Sequence, residues 1–491
     1  MADEFLNRLD DLERERYLKV KRLRERGAEP YPLRSARTHT SQEARELFER
    51  GEDPGAVRLT GRLTANRWNG KITFADLRDG AGRIQLFIRQ DALGEATYKE
   101  FIKDFDLGDI IGVEGTIMRT RTGEISVAVT KIEMLSKAIA PMPEKWHGLK
   151  DIETRYRQRY LDLMSNEEVR RVFVVRAKTV SAMRQYLDGH GFIEVETPTL
   201  QPLYGGAMAK PFVTHHNELD RDLYLRIATE LYLKRLLVGG FERVYEIGKN
   251  FRNEGVDKSH LPEFTGMECY QAYADYNDMI RLVEEVYRAC AEAAIGALKF
   301  PYQGNEIDLS APWQRVTMHD AILEMTGVDI DRDTDLESLR ARIKEKGLAA
   351  DVHPSWGKTV EELFSSFVQP KIVQPTFLLD FPAEVSPLAK KKPENPRIAE
   401  RFEPYIAGME VGNAFTELND PEDQFLNFLD QQRQRAAGDV EAQQMDEDYV
   451  QALKHGLPPT GGLGLGVDRM AMLFTDQHSI RDVVLYPQLR T

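Results

Sequence analysis

Between residues 57 and 135 the chain carries five short runs whose length and alternation suit only β-strands, and their order is the strongest constraint on its fold. They are Val57 to Leu63, Ile72 to Leu77, Arg83 to Ile88, Ile110 to Met118 and Ile125 to Leu135, rich in the β-branched residues that strands favour. Asn69-Gly70, Asp79-Gly80 and Thr122-Gly123 place turn residues between several of them. Asp91 to Lys103 reads as a helix, so the order is three strands, a helix and two strands, the plan of an OB-fold barrel. In the third strand, alternation turns Ile84, Leu86 and Ile88 to one face and Arg83, Gln85 and Phe87 to the other. A base, an amide and an aromatic on one face suit stacking and edge-reading of unpaired bases. The same Phe87 also fits a plug at a barrel end, with Gln85 as surface.

The barrel accounts for a small part of 491 residues, a length that calls for two or three domains. Upstream, residues 3 to 26 have helical composition that stops at Gly27, before Pro30 and Pro32. Downstream, Pro141 to Pro143 marks a boundary and Asp151 to Leu163 forms a charged, tyrosine-rich bridge. Beyond it, helical and strand patterns mix without the regular alternation of a doubly wound sheet, which makes α+β the expected class. The expected organisation is an N-terminal helical extension and linker (1–56), the barrel (57–137), a linker (138–160) and a large domain (161–491).

With 42% hydrophobic and 30% charged residues, the composition is that of a globular protein. No stretch approaches the roughly 18 consecutive apolar residues of a membrane helix, and the acidic opening Met1-Ala2-Asp3-Glu4 is unlike a secretory signal. A cytoplasmic protein without membrane contact is the expectation. The two cysteines, Cys269 and Cys290, have no metal-ligand spacing. A net charge of −14 argues against nucleic acid as partner, yet from Arg14 to Arg37 basic residues outnumber acidic ones by about three to one. That run fits a phosphate-contacting helix or simply a solvated helix face.

Two distant segments carry the chemistry. Phe251-Arg252-Asn253-Glu254-Gly255 follows the strand-like Val244 to Ile247 and precedes His260 and Phe264. An arginine beside such a loop can set a planar, permanent charge on a phosphate, and an aromatic after it can stack on a base; an arginine there also fits a structural ion pair. Gly461-Gly462-Leu463-Gly464-Leu465-Gly466-Val467-Asp468-Arg469 begins like a dinucleotide fingerprint, but Arg469 stands at the third glycine position and no βαβ unit surrounds it. Glycines that let backbone approach a ligand, with an arginine in the first helical turn, suit a terminal phosphate better. His215 and His216 are adjacent on a strand-like run and point to opposite faces, so they cannot readily share a metal. Cys269 reads as a small packing residue.

The segment from the helical Val169 to Leu187 through the strand ending at Pro198, the Phe251 to Gly255 loop with Pro262-Glu263-Phe264-Thr265, and the Gly464 to Arg469 segment resemble the three signature motifs of class II aminoacyl-tRNA synthetases, in order and spacing. Thr214 to Asn217, Arg226 to Arg235, Glu384 to Lys390 and Glu417 to Asp420 resemble the lysine-specific members. The resemblance covers about residue 57 to the end and departs at Leu261, where the family usually has Asn. It implies activation of L-lysine by ATP and transfer to the 3′ end of tRNA(Lys), by a homodimer joined through the helix and the Pro198 strand. It further implies that Arg252 and Arg469 are catalytic, and that ATP is held by Arg252, Glu254, His260, Phe264 and Arg469. Lysine would be held by Glu230, Glu268, Tyr270 and Glu417, and Mg2+ by Glu403 and Glu410 with Asn413 nearby. Phe74, Gln85 and Phe87 would meet the anticodon. A pocket with Glu268 and Glu417 compensates a substrate ammonium, whereas an aspartate-specific relative needs a cation there. The rival readings are such an aspartate or asparagine enzyme, and a non-catalytic RNA-binding protein with a degenerate ligase domain.

Overall fold

The five barrel strands are all present. The computed structural model describes residues 2–143, 149–351, 353–438 and 442–489, and the chain divides into two units, Met1–Lys150 and Asp151–Thr491.

In the first unit β1 (Ala56–Asn69), β2 (Ile72–Arg78), β3 (Arg83–Arg89), β4 (Ile110–Arg119) and β5 (Ile125–Ser136) close a barrel in the order β1-β2-β3-β5-β4. The β3–β5 pairing is parallel and the others are antiparallel. Inward positions Leu59, Leu63, Ala75, Leu77, Ile84, Leu86, Ile88, Val113, Val127 and Val129 form its buried core. A helix, Glu95–Asp104, lies between β3 and β4 in sequence, and Tyr98 and Phe101 bury into that core.

The N-terminal helical stretch is two helices, Ala2–Leu6 and Asp11–Glu25. The break has a local cause: Asp10 caps the second helix, accepting from the Glu13 amide while the Glu13 side chain accepts from the Asp10 amide. A further helix, Ser41–Glu49, is capped in the same way by Thr40 and Glu43. The basic run faces inward more than a solvated or phosphate-binding helix would. Arg22 and Arg26 both bind the buried Asp104, Lys19 meets Asp106 at 2.6 Å, and Arg16 donates to the carbonyls of Leu107, Ala138 and Ala140. These cations fasten the helix to the barrel.

The second unit is built on a sheet whose strands run, in spatial order, Gln314–Thr317, Thr376–Pro382, Asn395–Ile406, Gly412–Thr416, Thr460–Gly466, Glu263–Ala272, Arg243–Phe251 and Ile193–Glu194. Its interior is antiparallel, which fits the expected α+β class, and only the pairing at each edge is parallel. The helices Glu167–Gly189, Tyr276–Ile295 and Val467–Thr475 share one core with one face of this sheet. Met183, Leu187, Met279, Val283, Val286, Met470 and Leu473 from the helices meet Tyr245, Met267, Cys269, Phe402, Ala414, Leu463 and Leu465 from the strands. Cys269 and Cys290 are both buried free thiols in that core, which accords with a packing role. Residues 152–160 of the expected linker are largely helical: Ile152–Arg157 is followed by Arg159–Ser165. Arg159 is buried, pairing with Asp162 at 2.7 Å and donating to the carbonyls of Arg481, Val484 and Leu485.

Asp104 is the test of the basic helix's role. Burial pushes its carboxyl up, but hydrogen bonds from Arg26 and Arg22 outweigh it and hold the group below the usual aspartate range. Its contribution is therefore present above pH about 4 and is lost as pH falls through the lowered folded value. Asp104→Ala should cost about 1–3 kcal/mol and flatten that acid limb, as read by denaturant unfolding at pH 7 and pH 3.

Candidate active site

The pleat that sends Leu463 and Leu465 into the core turns Gly462, Gly464 and Gly466 to the opposite face of the sheet. The glycine-rich segment is therefore a central strand whose site face has no side chains, not a loop that wraps a ligand. Around it opens a cleft of about 900 Å3. Its lining includes Glu230, Arg252, Glu254, His260, Phe264, Glu268, Tyr270, Glu403, Glu410, Glu417 and Arg469. The structure thus gathers into one cavity every residue of the second unit that the sequence nominates.

At one end the cleft is acidic. Glu268 follows the core residue Met267 and precedes Cys269, so it faces the cleft. Its Oε1 accepts from the Thr229 amide (3.1 Å) and from Asn250 Nδ2 (3.4 Å), and its Oε2 from the Tyr270 hydroxyl (3.3 Å). Glu230 opens the helix Glu230–Val238. Glu230 and Glu417 are both buried, and both pair with the ammonium of Lys234. Burial pushes the Glu417 carboxyl well above the carboxylate range, with Glu230 and Glu268 adding to the rise and Lys234 opposing it. Burial also raises the Tyr270 hydroxyl, with the same three glutamates adding to it, so Tyr270 is a neutral donor. A Cβ on Gly462 would fall onto Glu417 Oε1 and lie 2.6 Å from the Tyr270 ring. Only glycine there leaves these two side chains their positions.

At the other end the cleft is basic. Arg252 directly follows the strand Arg243–Phe251, and its amide donates to the Pro262 carbonyl at 2.8 Å, closing the intervening loop. Its guanidinium lies 5.0 Å from the centre of the Phe264 ring, and its Nε has no hydrogen-bond partner among the described residues. Burial works against its charge, while Glu254, Glu410 and Glu268 support it. Arg469, in the first turn of the helix Val467–Thr475, donates to the Glu410 carbonyl at 2.5 Å and meets Glu410 Oε2 at 3.3 Å. Its neighbour Asp468 is fixed by Arg176 and by the Thr265 amide at 2.8 Å. His260 is exposed and bonded to Asp257 at 2.9 Å. Leu261 is buried against Val172, Ala471 and Met472, which gives an apolar residue a reason to stand there. His215 pairs with Asp222 at 2.9 Å and His216 Nδ1 accepts from the Leu219 amide at 3.1 Å. The two imidazoles serve separate local contacts in an exposed hairpin.

Between the ends, Glu403 Oε1 accepts from Arg401 Nη2 and its Oε2 from the Tyr405 hydroxyl, both at 2.6 Å. Burial drives this carboxyl up to about 7, against Arg401 and with help from Glu410. Asn413 Oδ1 accepts from Arg401 Nε at 3.0 Å. Among the described residues no group of three or more His, Cys, Asp or Glu is arranged to hold a metal by itself.

Two residues escaped the sequence reading. Lys234 stands four residues after Glu230, the spacing of an ordinary surface pair, and nothing in that spacing reveals that both are buried. Arg401 stands two before Glu403 on the same face of a strand, a spacing that could have suggested the contact.

In the barrel unit, Arg67, Phe74 and Phe87 lie side by side across β1, β2 and β3. The Phe74 and Phe87 rings are 5.2 Å apart and both are half-buried on the outer face, so Phe87 is not a plug. Gln85 sits opposite Asp76 and accepts from Ser126 Oγ at 2.9 Å.

The family of tRNA synthetases class II (D, K and N) matches residues 151–490, and an OB-fold nucleic acid binding domain matches residues 57–135. Among similar proteins, a lysine–tRNA ligase of Roseiflexus sp. (strain RS-1) is 57% identical over 98% of this chain and 99% of its own length. Lysine–tRNA ligases of Chloroflexus aurantiacus and Dehalococcoides mccartyi are 54% and 49% identical, over 98% and 100% of this chain and 99% and 98% of their own.

Gly462→Ala tests the packing at the acidic end. The methyl group has nowhere to go without displacing Glu417 or Tyr270, so the substitution should cost about 1–3 kcal/mol in thermal unfolding. Gly464→Ala, whose nearest neighbour is Glu268 Cγ at 3.7 Å, should cost clearly less.

Proposed function

The chain belongs to the class II tRNA synthetases of the D, K and N group, and on that footing we propose that it is a lysine–tRNA ligase. It joins the carboxylate of L-lysine to the α-phosphate of ATP, releases pyrophosphate, and passes the lysyl group to the 3′ end of tRNA(Lys). The observation that carries the amino-acid assignment is the acidic end of the cleft, where Glu230, Glu268 and Glu417 surround Tyr270. An ammonium side chain satisfies that charge, whereas the carboxylate of aspartate would be repelled by it. Lysine–tRNA ligases resemble the chain over nearly its full length, and neither rival reading has such support.

The substrate carboxylate is ionised at neutral pH, so activation needs no general base. The work is alignment and charge neutralisation. Arg252, with its unpartnered Nε, suits the α-phosphate and the carboxylate that attacks it. Attack forms a carboxyl oxygen–phosphorus bond and breaks the bond to the departing pyrophosphate. Phe264 offers a ring face to the adenine with Glu254 beside it, and Arg469 and His260 suit the terminal phosphates. Glu230 would receive the α-ammonium, and Glu268, Tyr270 and Glu417 the side-chain ammonium.

Glu403 and Glu410 fit magnesium in donor type, since both are carboxylates lining the cleft, and an ion there would draw its other ligands from ATP oxygens. When bound, magnesium supplies further neutralisation of phosphate charge. On the barrel, Phe74 and Phe87 suit stacking by anticodon bases, with Gln85 offering an amide edge. A homodimer through the Pro198 region accords with the half-exposed Ile193 and Leu200 on either side of it. Among the described residues no helix is long and apolar enough to cross a membrane, and the reaction belongs in the cytoplasm, with its tRNA.

The division of labour can be measured. Arg252→Ala should slow lysyl-adenylate formation by about 10²–10³-fold. Phe87→Ala should leave that step within about twofold and raise the KM for tRNA by about tenfold, the worth of one stacked base. Equal effects of the two substitutions on adenylate formation would contradict the assignment.

A further inference from the structure

Lys234 touches the proposed substrate end of the cleft from behind. It is fully buried and is not among the residues lining the cavity, whereas its two partners, Glu230 and Glu417, are. On the helix Glu230–Val238, the four-residue spacing stacks the Glu230 and Lys234 side chains on one face. The ring centres of Phe415, Tyr270 and Tyr449 lie 5.2, 5.9 and 5.9 Å from its ammonium. Removing one partner of such a buried group is strongly destabilising, so the contact to Glu417 is a fixed one.

That contact divides the two oxygens of Glu417. Oε2 faces the Lys234 ammonium. Apart from that ion pair neither oxygen has a hydrogen-bond partner among the described residues, and Oε1 lies directly over Gly462. The other carboxylates offer no free pair of oxygens. Glu268 already accepts through both, and Glu230 Oε1 is taken by Lys234.

We propose, building on the lysine reading above, that Lys234 is a specificity-determining positioning residue. By holding Oε2 of Glu417 it presents a single acceptor oxygen, which receives an ammonium and rejects a guanidinium. An ammonium is a compact charge whose donors can each find a separate acceptor. A guanidinium is matched by both oxygens of one carboxylate, through two parallel hydrogen bonds. Offered one oxygen in a buried pocket, it leaves N–H groups unpaired, and a site that strands buried donors discriminates strongly.

The test compares lysine with 2-amino-4-guanidinobutanoate, whose terminal nitrogens reach the same number of bonds from Cα, in amino-acid-dependent ATP–pyrophosphate exchange. It uses the wild-type chain, Lys234→Met, and the double variant Glu230→Gln/Lys234→Met, which removes a buried carboxylate along with its partner. The preference for lysine in kcat/KM should fall at least about tenfold in both variants, through a lower KM for the guanidino compound. Because the ratio is taken within one protein, a general loss of activity or of the α-amino contact cancels. Variants that fold but keep the wild-type ratio overturn the proposal. A wild-type chain inactive with lysine removes the lysine reading itself, a separate result. Should neither variant fold, inhibition of the wild-type exchange decides: n-pentylamine must inhibit at least about tenfold more tightly than n-propylguanidine, and equal inhibition overturns the proposal.

Discussion

In an antiparallel sheet, neighbouring residues of a strand face opposite sides, and the second unit depends on that constraint. Met267 and Cys269 enter the core while Glu268 and Tyr270 leave it; Leu463 and Leu465 enter while Gly462 and Gly464 leave. Apolar burial on one face sets the register of every strand, because a slip of one residue would bring the charged set into the core. The positions of the cleft's glutamates are therefore fixed by leucines, methionines and phenylalanines that never meet a ligand.

Held so rigidly, the charges need internal counter-ions. Lys234 answers Glu230 and Glu417 from behind the acidic end, and Arg401 answers Glu403 at the middle. Both cations arise from the scaffold, and both leave part of the carboxylate set uncompensated toward the cleft. At the basic end Arg252 and Arg469 are supported by Glu254 and Glu410 instead. The cleft is thus polarised along its length, acidic at one end and basic at the other.

Much of this was legible in the sequence. Period-two alternation separated Ile84, Leu86 and Ile88 from Arg83, Gln85 and Phe87, because a strand has only two faces, but it left Phe87 as either an outer aromatic or a plug, which the packing decides. Resemblance brought Arg252, Glu268, Glu417 and Arg469 together across more than two hundred residues, something no local pattern can do. What stayed hidden was burial. The basic residues from Arg14 to Arg37 looked available to phosphates or solvent, yet Arg22 and Arg26 are spent on Asp104, and the spacing of Lys234 from Glu230 is that of a surface pair. The sequence spacing of an ion pair is the same in water and in a core, and only the packing around it separates the two. The glycine run was legible as a place where backbone approaches a ligand, but not as a central strand, Thr460–Gly466, whose missing side chains keep one face clear.

Amino-acid-dependent exchange of labelled pyrophosphate into ATP by the full chain with magnesium, comparing lysine, aspartate and asparagine, tests the lysine assignment most directly. Exchange is expected with lysine and none above background with the other two. A well-folded chain that exchanges with aspartate or asparagine but not with lysine would contradict it.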